Sequence, residues 1–290
     1  MDGRAVAPAA GTVLNALATG TGSAFAIDLE TTATVSLTTD GEVDGEIDGE
    51  PEADASLIER CVEYAIAEYA DLAGLDAGTV GAHVRTETDV PMASGLKSSS
   101  AAANATVLAT LDAMGIDGAV DRIDACLLGV EAARDVGVTV TGAFDDASAS
   151  MLGGVTVTDN AADELLVREP VDWHALVYTP PERAYSAETD VAACERLAPT
   201  AGLVAELALE GRYGEAMTVN GFAFCAALGF PAGPMLEALP DVAGVSLSGT
   251  GPSYVAVGER RILRSVADEW ERREGTTRLL RTRSDGTHTT

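Results

Sequence analysis

The sequence predicts an α+β protein of two closely packed lobes, and three observations carry that expectation. A chain of 290 residues with 47% hydrophobic content can bury one large core or two of ordinary size. Strand-like alternation and helix-like spacing of apolar residues follow one another along its whole length, with Gly and Pro punctuation between them. Near residue 162, ELLVREPVDWHALVYTPP opens a second series of strands and helices, which sets the expected lobes at 1–161 and 162–290.

The first 39 residues, AVAPAAGTVLNALATGTGSAF and then ATVSLTT, read as short strands joined by a glycine-rich turn or short helix. Asn15 and the turn from Thr19 to Ser23 either approach a ligand or cap a buried turn. Residues 40–54, DGEVDGEIDGEPEAD, lack EF-hand spacing and a distal glutamate, and read as a solvated hairpin tip or surface loop. SLIERCVEYAIAEYADLAG spaces Leu57, Cys61, Tyr64, Ile66 and Tyr69 as an amphipathic helix, and TVGAHVRTETDV over 79–90 alternates as a strand. An alanine-rich helix follows Ser98, and another spans 119–136, apolar at Ile123, Cys126, Leu127 and Val130. Beyond the strand VTVTD and the loop bearing Arg183 and Tyr185, helices are expected at about 187–196, 201–210 and 212–228. DVAGVSLSGTGPSYVAVGE reads as strand, glycine turn and strand, ILRSVADEWERRE as a helix, TRLLRTR as a weak strand and SDGTHTT as a frayed end.

Residues 91–104, PMASGLKSSSAAAN, hold the strongest chemical signal. The turn at Ser94 and Gly95 leads through Leu96 and Lys97 into Ser98, Ser99 and Ser100, and these open a helix. Its unpaired first N–H groups and positive dipole end suit an anion. Lys97 is the sole lysine, the other basic residues being arginine. A compact ammonium on a flexible stem is what a phosphate loop uses. The simpler account is a serine N-cap on a buried helix. The order of parts is not that of a Walker A loop.

Against 18 basic residues stand 46 acidic ones, a formal charge of -28, which opposes nucleic acid and anionic membranes as partners. Such an excess with 4% aromatic content fits a halophilic host, where salt screens self-repulsion. The scattered Cys61, Cys126, Cys194 and Cys225 read as reduced core residues, and His83, His174 and His288 mark neither zinc nor a Ser-His-Asp site. With no leader and no apolar run of membrane-spanning length, a cytoplasmic location is expected.

Glu131 falls near the end of an apolar stripe, where a carboxylate needs a partner: Arg134, Arg122 or a metal. In GAFDDASASMLGG, one of Asp145 and Asp146 suffices to cap a helix, leaving the other free to act as a general base. Gly249, Gly251 and Pro252 permit close backbone approach, or a plain hairpin turn.

Together PMASGLKSSSAA, GAFDDASASMLGG and SLSGTGPSYVAV resemble the three spaced motifs of the GHMP kinases, over nearly the whole chain. Within that superfamily, APAAGTVLNALATGTGSAF and the GLKSSSAA form of the second motif are similar to the archaeal-type shikimate kinases. The resemblance implies a ribosomal-S5-like amino-terminal lobe, a ferredoxin-like carboxy-terminal lobe, and ATP-dependent phosphorylation of the shikimate 3-hydroxyl between them. It implies that Pro91 and Ser94 to Ser100 wrap the triphosphate, that Ser99 and Glu131 bind Mg2+, and that Asp146 is the catalytic aspartate, with Asp145 capping or orienting it. Several relatives carry a basic residue after the first Ala-Pro, where this chain has Ala9 and Ala10, so Lys97 either supplies that charge or holds phosphates. Asn15, Gly249 and Gly251 are candidates to approach the acceptor, and Arg183, Arg134 and Arg4 to hold its carboxylate. The rivals are another small-molecule kinase of the superfamily, such as homoserine kinase, and a non-catalytic nucleotide sensor. Oligomeric state is not legible from these residues.

Overall fold

The computed structural model describes residues 1–139, 142–184 and 189–290. It builds the first lobe on a long hairpin of β1 (Asp2–Leu14) and β2 (Thr21–Thr38), closed by a short 3-10 turn at Ala16–Ala18. These strands are much longer than the short ones expected. From Ala5 to Leu14 every β1 residue is buried, because small and apolar side chains occupy both faces and no polar run ends the strand. On its edge away from β1, β2 serves two partners, pairing β4 (Gly81–Thr88) along its second half and β5 (Val155–Asp159) along its first.

Residues 40–54 are not wholly a loop: β3 (Val43–Ile47) runs parallel to β4 at the sheet edge. The sheet order is β11-β1-β2-β4-β3, where β11 is His288–Thr289, and β6 (Glu164–Glu169) extends it by pairing β5. The expected division at 161/162 therefore falls in the turn of the β5–β6 hairpin, and the first sheet claims the chain through Glu169. Nor is the end frayed. Thr287 donates from its N–H to the carbonyls of Ser150 and Met151, both at 3.1 Å, satisfying late carbonyls of the helix α4 (Phe144–Leu152).

α1 (Ser56–Tyr69), α2 (Ser98–Ala113), α3 (Arg122–Asp135) and α4 enclose the first core against this sheet. α2 is buried almost all round, its alanines letting neighbouring backbones approach, and buried Thr110 returns its hydroxyl proton to Thr106 O at 2.8 Å. The second sheet is antiparallel, ordered β10-β7-β9-β8, with β7 at His174–Thr179, β8 at Gly244–Leu247, β9 at Tyr254–Gly258 and β10 at Thr276–Arg281.

Its Val177, Val255 and Val257 join Phe25 and Ile27 of β2 in a core shared by the lobes, with α6 (Ala198–Leu209) and α7 (Tyr213–Leu228). Alternate residues Leu176, Tyr254 and Ala256 face a third core with Trp270 of α9 (Arg260–Trp270). α5 (Val191–Glu195) is shorter than the expected helix, whose first residues, like Tyr185, lie outside the described residues. α8 (Gly233–Ala238) was masked in sequence by its Gly and Pro, although Pro is tolerated in a first helical turn. Among the described residues no helix is long and apolar enough to cross a membrane.

Candidate active site

The segment before α2 alternates in hand. Ala93, Gly95 and Lys97 have φ of 50, 80 and 67°, while Ser94 and Leu96 between them do not enter positive φ. Such alternation turns successive N–H groups to one side and makes a concave anion-binding nest. Holding Ala93 and Lys97 there costs about 1–2 kcal/mol each, strain of a kind that collects at functional sites. The first helical bond of α2 runs from Ala101 N to Lys97 O at 3.0 Å, so the N–H groups of Ser98, Ser99 and Ser100 stand outside the helical ladder. All three serines, with Ser94, Gly95 and Lys97, line a cavity of about 360 Å³. The amino terminus of α4 opens on the same cavity through Ala143, Asp145 and Asp146, so two positive helix ends converge there.

The turn between β8 and β9 clamps the nest. A Cβ on Gly95 would lie 2.2 Å from Ser248 O, so only glycine permits the approach, and Ser248 Oγ donates to Gly95 O at 2.8 Å. Ser253 N donates to Ser94 O at 3.1 Å. From the other side, Asn15 Nδ2 donates to Gly249 O at 2.9 Å, and Gly249 N donates to Thr12 Oγ1 at 2.8 Å. Asn15 also receives at its side-chain oxygen from Leu17 N, and its own N–H donates to Asn220 Oδ1. Four stretches far apart in sequence thus meet through short polar contacts.

Lys97 Nζ lies 2.8 Å from Asp146 Oδ1, with side-chain exposures of 8% and 14%. The contact is an ion pair between opposite charges. Asp145, one residue earlier, points into the protein: it is 4% exposed, and Asn160 Nδ2 donates to its Oδ1 at 2.7 Å. Burial, and then the negative charge of Asp146, push its carboxyl up to about 7, against the opposing pull of Lys97 and Asn160. Both aspartates line the cavity, and Asp146 is the one paired with the ammonium. Neither aspartate caps α4 with its side chain, since the cap position is Ala143.

Asn15, Ser94, Gly95, Lys97, Ser98, Ser99, Ser100, Asp146 and Gly249 are therefore brought together. Other expected residues fall elsewhere. Leu96 is buried in the shared core, and Pro91 acts through its carbonyl, which accepts from Ser94 Oγ at 2.6 Å. Gly251 shapes the turn, with N–H to Ser248 O and Phe230 packed where a side chain would stand.

Glu131 is exposed and absent from the cavity wall, although its place near the end of the apolar stripe set it off the plain solvent face in sequence. Val130 and Ala133 face the cavity, and one further residue of helix turns Glu131 away from it, so the structure does not place it as a metal ligand. Arg134 is engaged with Asp163 through two bonds of 2.7 and 2.6 Å, and Arg4 lies on β1 beside Thr290. Neither reaches the cavity, and Arg183 is exposed with Glu50 at 3.7 Å, although the adjacent Ala184 lines the wall. Sequence reasoning missed Asn160, Thr12 and Asn220, single polar residues with no local pattern to mark them.

A model of the GHMP kinases N terminal domain matches residues 56–154. A shikimate kinase of Halobacterium salinarum is 63% identical over 100% of this chain and 100% of its own. One from Methanosarcina mazei is 47% identical over 93% of this chain and 90% of its own. Among solved structures, a homoserine kinase from Cytophaga hutchinsonii gives a TM-score of 0.77 at 15% identity, covering 100% of this chain and 97% of that one. The mevalonate kinase of Methanococcus jannaschii gives 0.74 at 15% identity, over 96% and 98%. At that identity the superpositions speak for the fold alone.

Proposed function

The chain belongs to the shikimate kinases of the GHMP kinase superfamily, and on that premise we propose that its cavity transfers the γ-phosphoryl group of ATP to the 3-hydroxyl of shikimate, giving shikimate 3-phosphate and ADP. The observation that carries the site assignment is the pairing of Lys97 with Asp146 where the ends of α2 and α4 converge. The N–H groups of the nest and of Ser98 to Ser100 suit the phosphates, adding fixed donors where charge builds on the transferring group. Asp146 accepts the proton of the acceptor hydroxyl. The hydroxyl oxygen bonds to the γ-phosphorus, and the bond to the bridging oxygen breaks with its electrons leaving on ADP.

Lys97 has two tasks within one ammonium's reach. It holds Asp146 in place by charge, and it stands beside the phosphate nest; this makes it the stand-in for the basic residue absent at Ala9 and Ala10. Glycine at 249 makes room for that ammonium, because a Cβ there would lie 2.7 Å from Nζ.

For Mg2+ the donor set is sparse: among the described residues no cluster of three acidic or other metal-ligating side chains exists, and Ser99 is the family-matched oxygen on the cavity wall. That fits an ion that keeps waters and arrives with substrate phosphates, with Ser99 as its protein ligand and Glu131 left out. Bound there, it would neutralise phosphate charge. Arg183, whose neighbour Ala184 lines the cavity, is the arginine we assign to the acceptor carboxylate. Four buried free cysteines suit a cytoplasmic enzyme.

The direct test is Asp146→Asn. Turnover should fall by about 10²- to 10⁴-fold while calorimetric ATP affinity is kept. Near-normal turnover would remove Asp146 from the role of base.

A further inference from the structure

Two carboxylates open α4 and one ammonium answers them. Lys97 pairs with Asp146, and among the described residues Asp145 has no cation of its own. Asp145 is nevertheless the more deeply held of the two. β2 closes over it at Gly22, where a Cβ would lie 2.5 Å from its Oδ2. From the end of β5, Asn160 donates to Oδ1 at 2.7 Å, and the oxygen of that amide is taken by Asp145 N at 3.1 Å and Thr158 Oγ1 at 2.7 Å. Ser148 of α4 and Thr156 of β5 donate to its backbone carbonyl, not to its carboxyl. Among the described residues, the charged groups facing it are Asp146 on its own helix and Lys97 before α2. The Arg134–Asp163 pair meets this network behind Asn160, where Arg134 donates to its backbone oxygen at 3.3 Å.

We propose that Asp145 is a positioning residue held as a neutral carboxylic acid while the enzyme works, and that its ionisation puts a second negative charge beside the phosphate nest and weakens nucleotide binding. The inference rests on the nucleotide reading of the cavity and deepens it. A neutral Asp145 leaves the Lys97 ammonium to Asp146, and the nest keeps its positive field for phosphate. Ionised, Asp145 competes for the same ammonium with no room to move away, because Gly22 and Asn160 fix it. Burial already sets its ionisation close to neutrality, where the competition would be felt. The asparagine side chain has the shape and hydrogen-bonding pattern of the neutral acid, and mimics it at every pH.

The experiment is calorimetric titration of magnesium ADP onto wild type and Asp145→Asn in molar KCl, in steps from about pH 6 to about pH 9. Both proteins meet the same titration of the nucleotide, so the difference between them isolates Asp145. The expected result is that wild-type Kd rises about tenfold more than that of the variant across the range. A second variant, Asn160→Ala, removes the bond that favours the ionised form, and should move the wild-type inflection to higher pH. Matched profiles with tight binding in both proteins, or an inflection unmoved in Asn160→Ala, would overturn the inference and leave the kinase reading standing. Loss of turnover in Asp145→Asn at every pH, with nucleotide still bound, would make Asp145 the base and overturn it too. Absence of nucleotide binding at all pH values in wild type would take down both readings together.

Discussion

Replacing Lys97 tests the centre of the site, because the same ammonium is assigned to the base and to the phosphates. At 2.8 Å, two full charges attract by about 6 kcal/mol at an effective dielectric of about 20. Desolvation at 8% and 14% exposure offsets part of this, and breaking such a buried pair from one side costs about 3–5 kcal/mol. Lys97→Met should therefore lower the melting temperature clearly in molar KCl and weaken ATP binding, since Asp146 then faces the nucleotide uncompensated. Lys97→Arg keeps the charge and should still fail in large part. The planar guanidinium is wider than the ammonium, and the side chain at 97 is only 8% exposed, so the larger head has little space beside Asp146. Thermal melts, with kcat and KM for ATP, read the two variants. Wild-type stability and kinetics in Lys97→Met would refute the pairing argument, and wild-type kinetics in Lys97→Arg would refute the steric one.

Gly95→Ala should cost about 1–3 kcal/mol or more and abolish tight ATP binding, because the new Cβ would meet Ser248 O at 2.2 Å at a residue with φ of 80°; an unchanged melt and Kd would show that the clamp is dispensable. Glu131→Gln should leave the magnesium dependence of turnover within about twofold of wild type, as expected of a surface substitution away from the cavity. A tenfold shift in the magnesium requirement would restore it as a ligand. With 46 acidic residues against 18 basic ones, the protein should lose stability on transfer from molar KCl to dilute buffer, and an equal melting temperature in both would contradict the self-repulsion argument.

The parts of the site legible in sequence were those whose chemistry is local. Lys97 stood out as a sole lysine between a glycine turn and three serines, and the structure puts that run at the mouth of α2. Asp145 and Asp146 were visible as a pair, but not which way each would point, since adjacent residues on a helix diverge by 100° and burial by β2 decides the outcome. The same rotation misled the placing of Glu131 next to Val130. Asn160 left no trace because its partner is 15 residues away across α4 and β5, and Thr12 none because Gly249 is 237 residues away.

In the fold, helix periodicity carried α1, α3 and α9, whereas pairing partners did not declare themselves. Leu165 and Val167 read as the start of a new lobe, yet β6 completes the first sheet by pairing β5. The polar tail SDGTHTT read as frayed, yet it covers the end of α4 and adds β11 beside β1.

The most direct measurement is coupled ADP release from ATP and magnesium in molar KCl, with shikimate, homoserine, mevalonate and galactose offered separately as acceptors. Shikimate-dependent turnover, lost in Asp146→Asn, is the expected result. Turnover with another acceptor alone would contradict the substrate assignment, and ATP binding without turnover on any acceptor would contradict the assignment of the cavity as a phosphoryl-transfer site.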